Sequence, residues 1–169
     1  EKEKFDGVML DIEPYISDSW KENPEEYMDR YISCMKKGYK FAQKNHLRTA
    51  ICIPRHYDNQ GLTSGLEELI KETCDEVAVM NYSCGNEIEA IRTEAALSEK
   101  YGKELHCILE FQEVGKHGLT ENKTYRNKGI DNAKETWEKL QKEYKNINVT
   151  RDYHWSRPVR EMLEEKNAD

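Results

Sequence analysis

The sequence contains no hydrophobic run long enough to cross a membrane and no excess of positive charge. Its 169 residues include 26 lysines and arginines against 33 aspartates and glutamates, which gives a formal net charge of −7. A helical membrane span needs about 20 apolar residues, and a nucleic-acid interface needs a basic patch. The sequence therefore predicts neither a membrane span nor a nucleic-acid partner.

Several catalytic and cofactor motifs are also missing. The five cysteines form no CxxC pair, and their odd number does not suit a closed disulfide framework. No GxSxG segment marks a nucleophilic serine, and no glycine-rich phosphate loop follows an apolar run. We expect no cofactor. We expect reduced thiols, which suit the cytosol and also a secreted or cell-surface parent chain whose export does not oxidise cysteine.

Short apolar runs alternate with amphipathic segments along the chain. The runs predict five strands, over residues 5–12, 47–53, 76–82, 105–111 and 147–155. Helical spacing of apolar residues predicts helices over 24–45, 65–73, 87–101 and 131–144, with a last helix after Pro158. This alternation is typical of βα units in a parallel sheet. We therefore predict an α/β fold in a single domain, residues 1–169.

Polar and aromatic residues gather where the predicted strands end, and this pattern favours a barrel because barrel enzymes build their sites there. A complete (β/α)8 barrel has eight strands, so we expect the last five strands of a TIM barrel from a longer chain. An open five-stranded sheet is the alternative. An incomplete barrel has two exposed edges, which predicts self-association or pairing with a missing amino-terminal half. The polar segment 113–128 predicts either a functional lid or a disordered loop.

Two carboxylates follow the first apolar run, at Asp11 and Glu13. Side chains two residues apart on a strand point to the same face, while Val8, Leu10 and Ile12 point the other way and are expected to pack on helices. Neighbouring acids push their pKa values apart, so Glu13 can remain protonated while Asp11 is ionised. Such a pair suits glycosidic bond cleavage. A solvated strand end without function is the alternative.

Three motifs resemble those of one enzyme family. Residues 6–13 read DGVMLDIE and resemble the DGxDxDxE strand of glycoside hydrolase family 18, the chitinase-like and endo-N-acetylglucosaminidase-like enzymes. Met80, Asn81 and Tyr82 resemble the family's MxYD motif, and Trp155 resembles the tryptophan at the floor of its sugar site. The resemblance covers strands four to eight of the family's TIM barrel. A lysozyme-like family, glycoside hydrolase family 25, also carries Asp-x-Glu at a strand end.

The resemblance implies retaining, substrate-assisted hydrolysis of N-acetylhexosamine-containing glycans. Glu13 would be the acid/base, while Asp11 and Tyr82 would position the substrate's 2-acetamido group. Met9 and Ser83 depart from the pattern, because the family has aspartate at both positions. These departures favour a glycan other than chitin. The missing aspartate at Met9 favours the alternative of a sugar-binding, lectin-like relative without hydrolytic activity.

Further polar and aromatic residues at strand ends are candidate substrate contacts. Together with the motif residues, the substrate-binding set comprises Arg55, His56, Met80, Asn81, Glu110, Gln112 and Trp155. Asp152 and His154 are expected to form a pair on the last strand. A metal site could be built from Asp11, Glu13, Glu110 and His56, but no HxH or HxxxH spacing supports it, and we expect no metal.

Overall fold

The computed structural model describes residues 4–168 and has the predicted α/β architecture. Five strands form one parallel sheet in the order β1-β2-β3-β4-β5. The strands are β1 (Gly7–Asp11), β2 (Arg48–Pro54), β3 (Glu76–Met80), β4 (Glu104–Glu110) and β5 (Val149–His154). All five predicted strands are therefore confirmed: β1, β3 and β5 lie within the predicted ranges, whereas β2 ends one residue later and β4 begins one residue earlier than predicted.

Seven helices connect and follow the strands in the described part of the chain. They are α1 (Asp18–Glu22), α2 (Pro24–Lys44), α3 (Thr63–Thr73), α4 (Glu87–Ala90), α5 (Arg92–Tyr101), α6 (Ile130–Glu143) and α7 (Ser156–Ala168). The helix predicted over 87–101 is divided, because Ile91 has a non-helical φ of −124°. None of these seven helices combines the length and apolar character that a membrane span requires.

The helix-packed face of the sheet forms the core. Strand register aligns four apolar residues across β2 to β5, each at most 2% exposed: Ile51, Val77, Leu105 and Val149. Helices α3, α5 and α6 contribute the fully or nearly fully buried Leu66, Leu69, Ile70, Ala95 and Leu140 to the same cluster. Burying one such aliphatic side chain contributes about 1.5–3 kcal/mol, so this face anchors the sheet.

The opposite face, the site face, carries Asp11, Cys52, Met80, Ile108 and His154; Asp11 pairs with Cys52 and Met80 with Ile108. It receives the polar residues at the strand ends. Because all strands are parallel, their carboxyl ends meet at one edge of the sheet, and a ligand site is expected there.

Strand β1 is less buried than the prediction required. Of the three residues expected to pack on helices, only Leu10 packs against the core. Val8 and Ile12 are 37% and 43% exposed, since β1 pairs with β2 alone among the described residues. Gly7 permits close pairing, because a Cβ there would lie 2.7 Å from the Arg48 carbonyl oxygen.

Candidate active site

A cavity of about 480 Å³ lies at the carboxyl ends of β1, β3, β4 and β5. Sites for small molecules typically measure about 300–1,000 Å³. The predicted residues that line the cavity are Asp11, Glu13, Met80, Tyr82, Glu110, Gln112 and Trp155. The structure thus brings together both acids, the tyrosine of the third strand and the tryptophan that follows the last strand.

The two acids have neutral partners. The Tyr15 hydroxyl donates a hydrogen bond to Glu13 Oε1. Asp11 is exposed and lies near the Cys52 thiol at the same end of the sheet. Burial, together with the charge of Asp11, raises the pKa of Cys52 to about 12. Neither acid has a salt bridge to another described residue, so both carboxylates keep acceptor capacity for a ligand.

Tyr15 is a site residue that the sequence motifs did not identify. It is half-buried, and burial followed by the hydrogen bond to Glu13 raises its pKa. The phenol therefore stays neutral and fixes the orientation of the Glu13 carboxyl. Its position two residues after Glu13, in a turn spanning Pro14–Ile16, is the only signal in the sequence that could have suggested the contact.

Tyr82 presents a free hydroxyl to the cavity. The residue is half-buried, and among the described residues its hydroxyl has no hydrogen-bond partner. Burial raises the pKa of Tyr82, with further contributions from the negative charges of Glu110, Asp11 and Glu13. A neutral phenol is a hydrogen-bond donor, so Tyr82 can donate to an oxygen of a bound ligand.

Glu110 and His154 form an ion pair at one wall of the cavity. Glu110 is 2% exposed, and its Oε2 lies 2.8 Å from His154 Nδ1. Its Oε1 accepts hydrogen bonds of 2.8 Å from the backbone N–H groups of Phe111 and Gln112. Burial alone would raise the pKa of Glu110, but the hydrogen bonds from His154 and Gln112 lower it overall. Glu110 is therefore a satisfied structural carboxylate.

His154 is placed by Glu110 and not by the residue that the sequence suggested. The expected pair of Asp152 with His154 is wrong, because Asp152 lies 3.0 Å from His106 Nδ1 instead. The hydrogen bond to Glu110 raises the pKa of His154, helped by the charges of Asp11 and Glu13. The His154 ring lies 6.1 Å from the Tyr82 ring, centroid to centroid.

Three predicted contacts lie outside this cavity. Asn81 is 1% exposed, and its Nδ2 donates to the Glu87 carbonyl oxygen at 2.9 Å on the helix-packed face. Arg55 and His56 line a smaller adjoining cavity of about 180 Å³. The two cavities share Met80, Tyr82 and Lys123.

The predicted loop 113–128 packs against the site. The Thr124 hydroxyl donates to the Gln112 carbonyl oxygen at 2.6 Å, and the Tyr125 N–H donates to the Glu110 carbonyl oxygen at 2.8 Å. From this loop His117 and Lys123 line the larger cavity. Sequence reasoning identified the loop as a candidate lid without naming these two residues.

A second polar cluster lies on the site face at the amino ends of the strands. Arg48 contacts Glu76 at 2.6 Å and Glu104 at 3.2 Å, and His106 bridges Glu76 at 2.8 Å and Asp152 at 3.0 Å. Ligand atoms of Glu76, Glu104 and His106 lie within 4.8 Å of one another, a spacing that could hold a metal ion. The Arg48 guanidinium already contacts both glutamates and His106 pairs with Glu76, so the oxygens of this donor set are engaged and do not suit a cation.

The whole chain was compared with protein-family models, curated proteins and solved structures. None matches. The resemblance to glycoside hydrolase family 18 therefore depends only on the short motifs at residues 6–13, Met80, Tyr82 and Trp155. What the cavity can do chemically is argued from its geometry.

Proposed function

We propose that the chain is a glycosidase-like part of a TIM barrel that cleaves N-acetylhexosamine-containing glycans with retention of configuration. One observation carries the proposal: Asp11, Glu13, Tyr82 and Trp155, which lie up to 144 positions apart in the sequence, line one cavity at the carboxyl ends of the strands. These residues are the ones that the family resemblance assigns to acid/base catalysis, acetamido positioning and the sugar floor.

The strand order supports the barrel. Right-handed connections between sequential parallel strands place every connecting helix on the same face of the sheet. A doubly wound sheet reverses its strand order to cover both faces, whereas the order here runs from β1 to β5 without reversal. Among the described residues, no connecting helix then covers the site face. Closure of the sheet into a barrel would cover it. Exposed side chains on β1, including Met9 at 53%, suit contact with further strands.

The proposed reaction uses the substrate's own acetamido group. Glu13 donates its proton to the glycosidic oxygen as the bond to the anomeric carbon breaks. The acetamido oxygen attacks that carbon and forms a cyclic oxazolinium, which the Asp11 carboxylate stabilises and the Tyr82 hydroxyl orients. Glu13, now ionised, removes a proton from the water that opens the ring, so the proton balance is restored.

Glu13 has a hydrogen-bond partner although Met9 replaces the aspartate of the family pattern. Methionine at this position removes a carboxylate neighbour, and the Tyr15 hydroxyl is the group that contacts Glu13 in its absence. A fixed carboxyl next to a cavity still satisfies the geometric requirement for an acid/base residue. Tyr15 is therefore assigned a positioning role.

A lectin-like relative is the second candidate. Met9 and Ser83, which both replace aspartates of the family pattern, favour it. Such a protein would keep Trp155 and Tyr82 as sugar contacts and bind glycans without cleaving them.

Hydrolysis assays separate the two candidates. A chromogenic chitobioside and a high-mannose glycopeptide are offered to the chain. The proposal expects turnover that is lost in Glu13→Gln, with the β-anomer as the first product in an NMR time course. Binding of either substrate without turnover would support the lectin and contradict the hydrolase.

A further inference from the structure

The smaller cavity next to the acids has a different charge from the larger one. It measures about 180 Å³ and is lined by Tyr15, Pro54, Arg55, His56, Met80, Tyr82 and Lys123. Taking about 30 Å³ of liquid volume for one water molecule, it has room for about six waters. This is below the usual size of a small-molecule site but sufficient for one substituent of a ligand.

Arg55 contributes an unpaired charge to this cavity. The chain contains eight arginines, and six of them form salt bridges with carboxylates. Arg55 is half-buried and has no hydrogen bond or salt bridge to another described residue, whereas Arg160, the other unpaired arginine, is exposed. A partly desolvated guanidinium with five unused donors is costly unless a ligand pairs with it.

Neighbouring acids do not neutralise Arg55. The closest candidate in sequence is Asp58, whose oxygens accept hydrogen bonds of 2.7 Å from the Asn59 N–H and from the Thr93 hydroxyl. Glu94 is fully buried, and burial raises its pKa to about 7. Asp58 is thus occupied, and burial disfavours the charged form of Glu94.

His56 and Lys123 complete the cationic side of the cavity. The His56 ring stacks edge-on to Tyr15 with centroids 5.1 Å apart. Burial lowers the pKa of His56, and the nearby charge of Arg55 lowers it further. The neutral ring can donate one N–H. Lys123 is exposed, has no side-chain partner among the described residues, and lies where the two cavities join.

We propose that the Arg55–His56–Lys123 cavity binds an anionic substituent of the glycan whose sugar ring occupies the larger cavity. Candidate substituents are a sulfate ester, a phosphate ester and a uronic acid carboxylate. Each is an anionic group with at least two oxygens that can accept paired hydrogen bonds from a guanidinium. The inference rests on the proposed function, because it names the substrate class of the same site. It places an anion beside the Tyr15 side chain that also holds Glu13.

Inorganic sulfate tests the anion site without any assay of hydrolysis. The pH titration of the His56 ring protons, assigned with His56→Gln, is followed by NMR in sodium sulfate and in sodium chloride at equal ionic strength. The proposal expects sulfate to raise the His56 pKa, since a bound anion stabilises the imidazolium. The rise should be absent in Arg55→Gln, reduced in Lys123→Gln and retained in Arg160→Gln. An unchanged His56 pKa in the unmodified chain would overturn the proposal.

Glycan binding then identifies the source of the anion and separates this inference from the hydrolase. Calorimetry compares N-acetylglucosamine with its 6-sulfate, its 6-phosphate and a disaccharide containing a uronic acid. At least one anionic ligand should bind roughly tenfold more tightly than the neutral sugar, and Arg55→Gln should remove that preference. Preference for anionic sugars without turnover would support the site and reject the hydrolase. Turnover that depends on Glu13, with equal binding of neutral and anionic sugars, would reject the site and keep the hydrolase.

Discussion

The two ends of the site face carry similar residue types in different bonding states. At the amino ends of the strands, Arg48, Glu76 and His106 are linked by contacts of 2.6 and 2.8 Å, and their charges compensate one another. At the carboxyl ends, neither Asp11 nor Glu13 has a salt bridge to another described residue, and Glu13 accepts a hydrogen bond from the neutral Tyr15 hydroxyl. The donors and acceptors of the amino-end cluster are bonded to one another. At the carboxyl ends, Asp11 and Glu13 can still accept hydrogen bonds from a ligand.

This difference indicates which cluster serves structure and which serves binding. Paired charges between neighbouring strands hold those strands together, and removal of one partner leaves the other poorly compensated. Unpaired polar groups around a cavity persist where a ligand uses them. Residue type alone does not separate the two cases, since both clusters contain carboxylates and a histidine.

Replacement of the acid at the carboxyl ends should have the largest effect. We expect Glu13→Gln to lower kcat by about 10²–10⁴-fold, because an amide cannot donate or accept the proton. Glu104→Gln at the opposite end is the matched control and should leave kcat unchanged. Steady-state kinetics with a chromogenic substrate measure both, and equal losses in the two variants would show that the ends do not differ in function.

Tyr82→Phe removes one hydroxyl and keeps the ring. We expect kcat to fall by about 10²-fold, the typical cost of losing one donor that acts in the transition state. The free energy of unfolding should change little, because the hydroxyl has no hydrogen-bond partner among residues 4–168 to lose. Kinetics together with denaturant unfolding test this, and a loss of stability that explains the loss of rate would assign Tyr82 to structure.

His106→Gln should act on stability and not on activity. The pKa of His106 is raised above 6.5, first by its hydrogen bond to Asp152, with Glu76 also contributing. Its contribution to stability is therefore full below pH 6.5 and is lost as the pH rises through the folded-state pKa. At pH 6 we expect the free energy of unfolding of the unmodified chain to be about 2 kcal/mol higher than that of His106→Gln. At high pH this difference should be smaller.

The contribution of the acids in the same cluster to stability has the opposite pH dependence. Burial opposes ionisation of Glu76 and Asp152. Hydrogen bonds from Arg48 and His106 nevertheless lower the pKa of Glu76, and hydrogen bonds from His106 and Thr150 lower the pKa of Asp152. Their contribution is present above the unfolded-state pKa values and is lost as the pH falls through the folded-state values. Urea unfolding from pH 3 to 9 should show greatest stability between these limits. A difference between His106→Gln and the unmodified chain that grows above pH 7 would contradict the assignment.

Trp155→Ala should have the smallest effect. The side chain is 47% exposed, so its loss should leave the unfolding midpoint unchanged. Loss of the aromatic contact with a sugar ring should raise KM by about fivefold to tenfold while kcat changes little, as for a group that contributes about 1 kcal/mol of binding. Phe111→Ala, a buried replacement in the adjoining core, is expected to lower stability instead. An unchanged KM in Trp155→Ala would remove this residue from the sugar site.

Local patterns were sufficient to predict the strands, the parallel sheet and the joint placement of Asp11 and Glu13. Apolar runs and helical spacing depend on nearby residues, and the common face of the two acids follows from strand geometry alone. The division of the helix at Ile91 was not predicted, because the break depends on a backbone conformation at a residue with ordinary helical neighbours.

Contacts between strands could not be derived from the sequence. Ile108 lies opposite Asp152 and Glu110 opposite His154, and this register decides which histidine each acid meets. A periodic pattern does not fix the register between two strands, so the pairing of Asp152 with His154 was predicted wrongly. The exposure of Val8 and Ile12 has a similar origin, since it depends on whether another strand covers β1.

Binding of a thiazoline analogue of the oxazolinium tests the central claim most directly. The claim is that Asp11, Glu13 and Tyr82 form one site for an acetamido-derived intermediate. We expect the analogue to bind at least about 10²-fold more tightly than N-acetylglucosamine, and Asp11→Asn and Tyr82→Phe to remove most of this gain. Equal affinity for the analogue and the simple sugar, or an affinity that both variants retain, would contradict it.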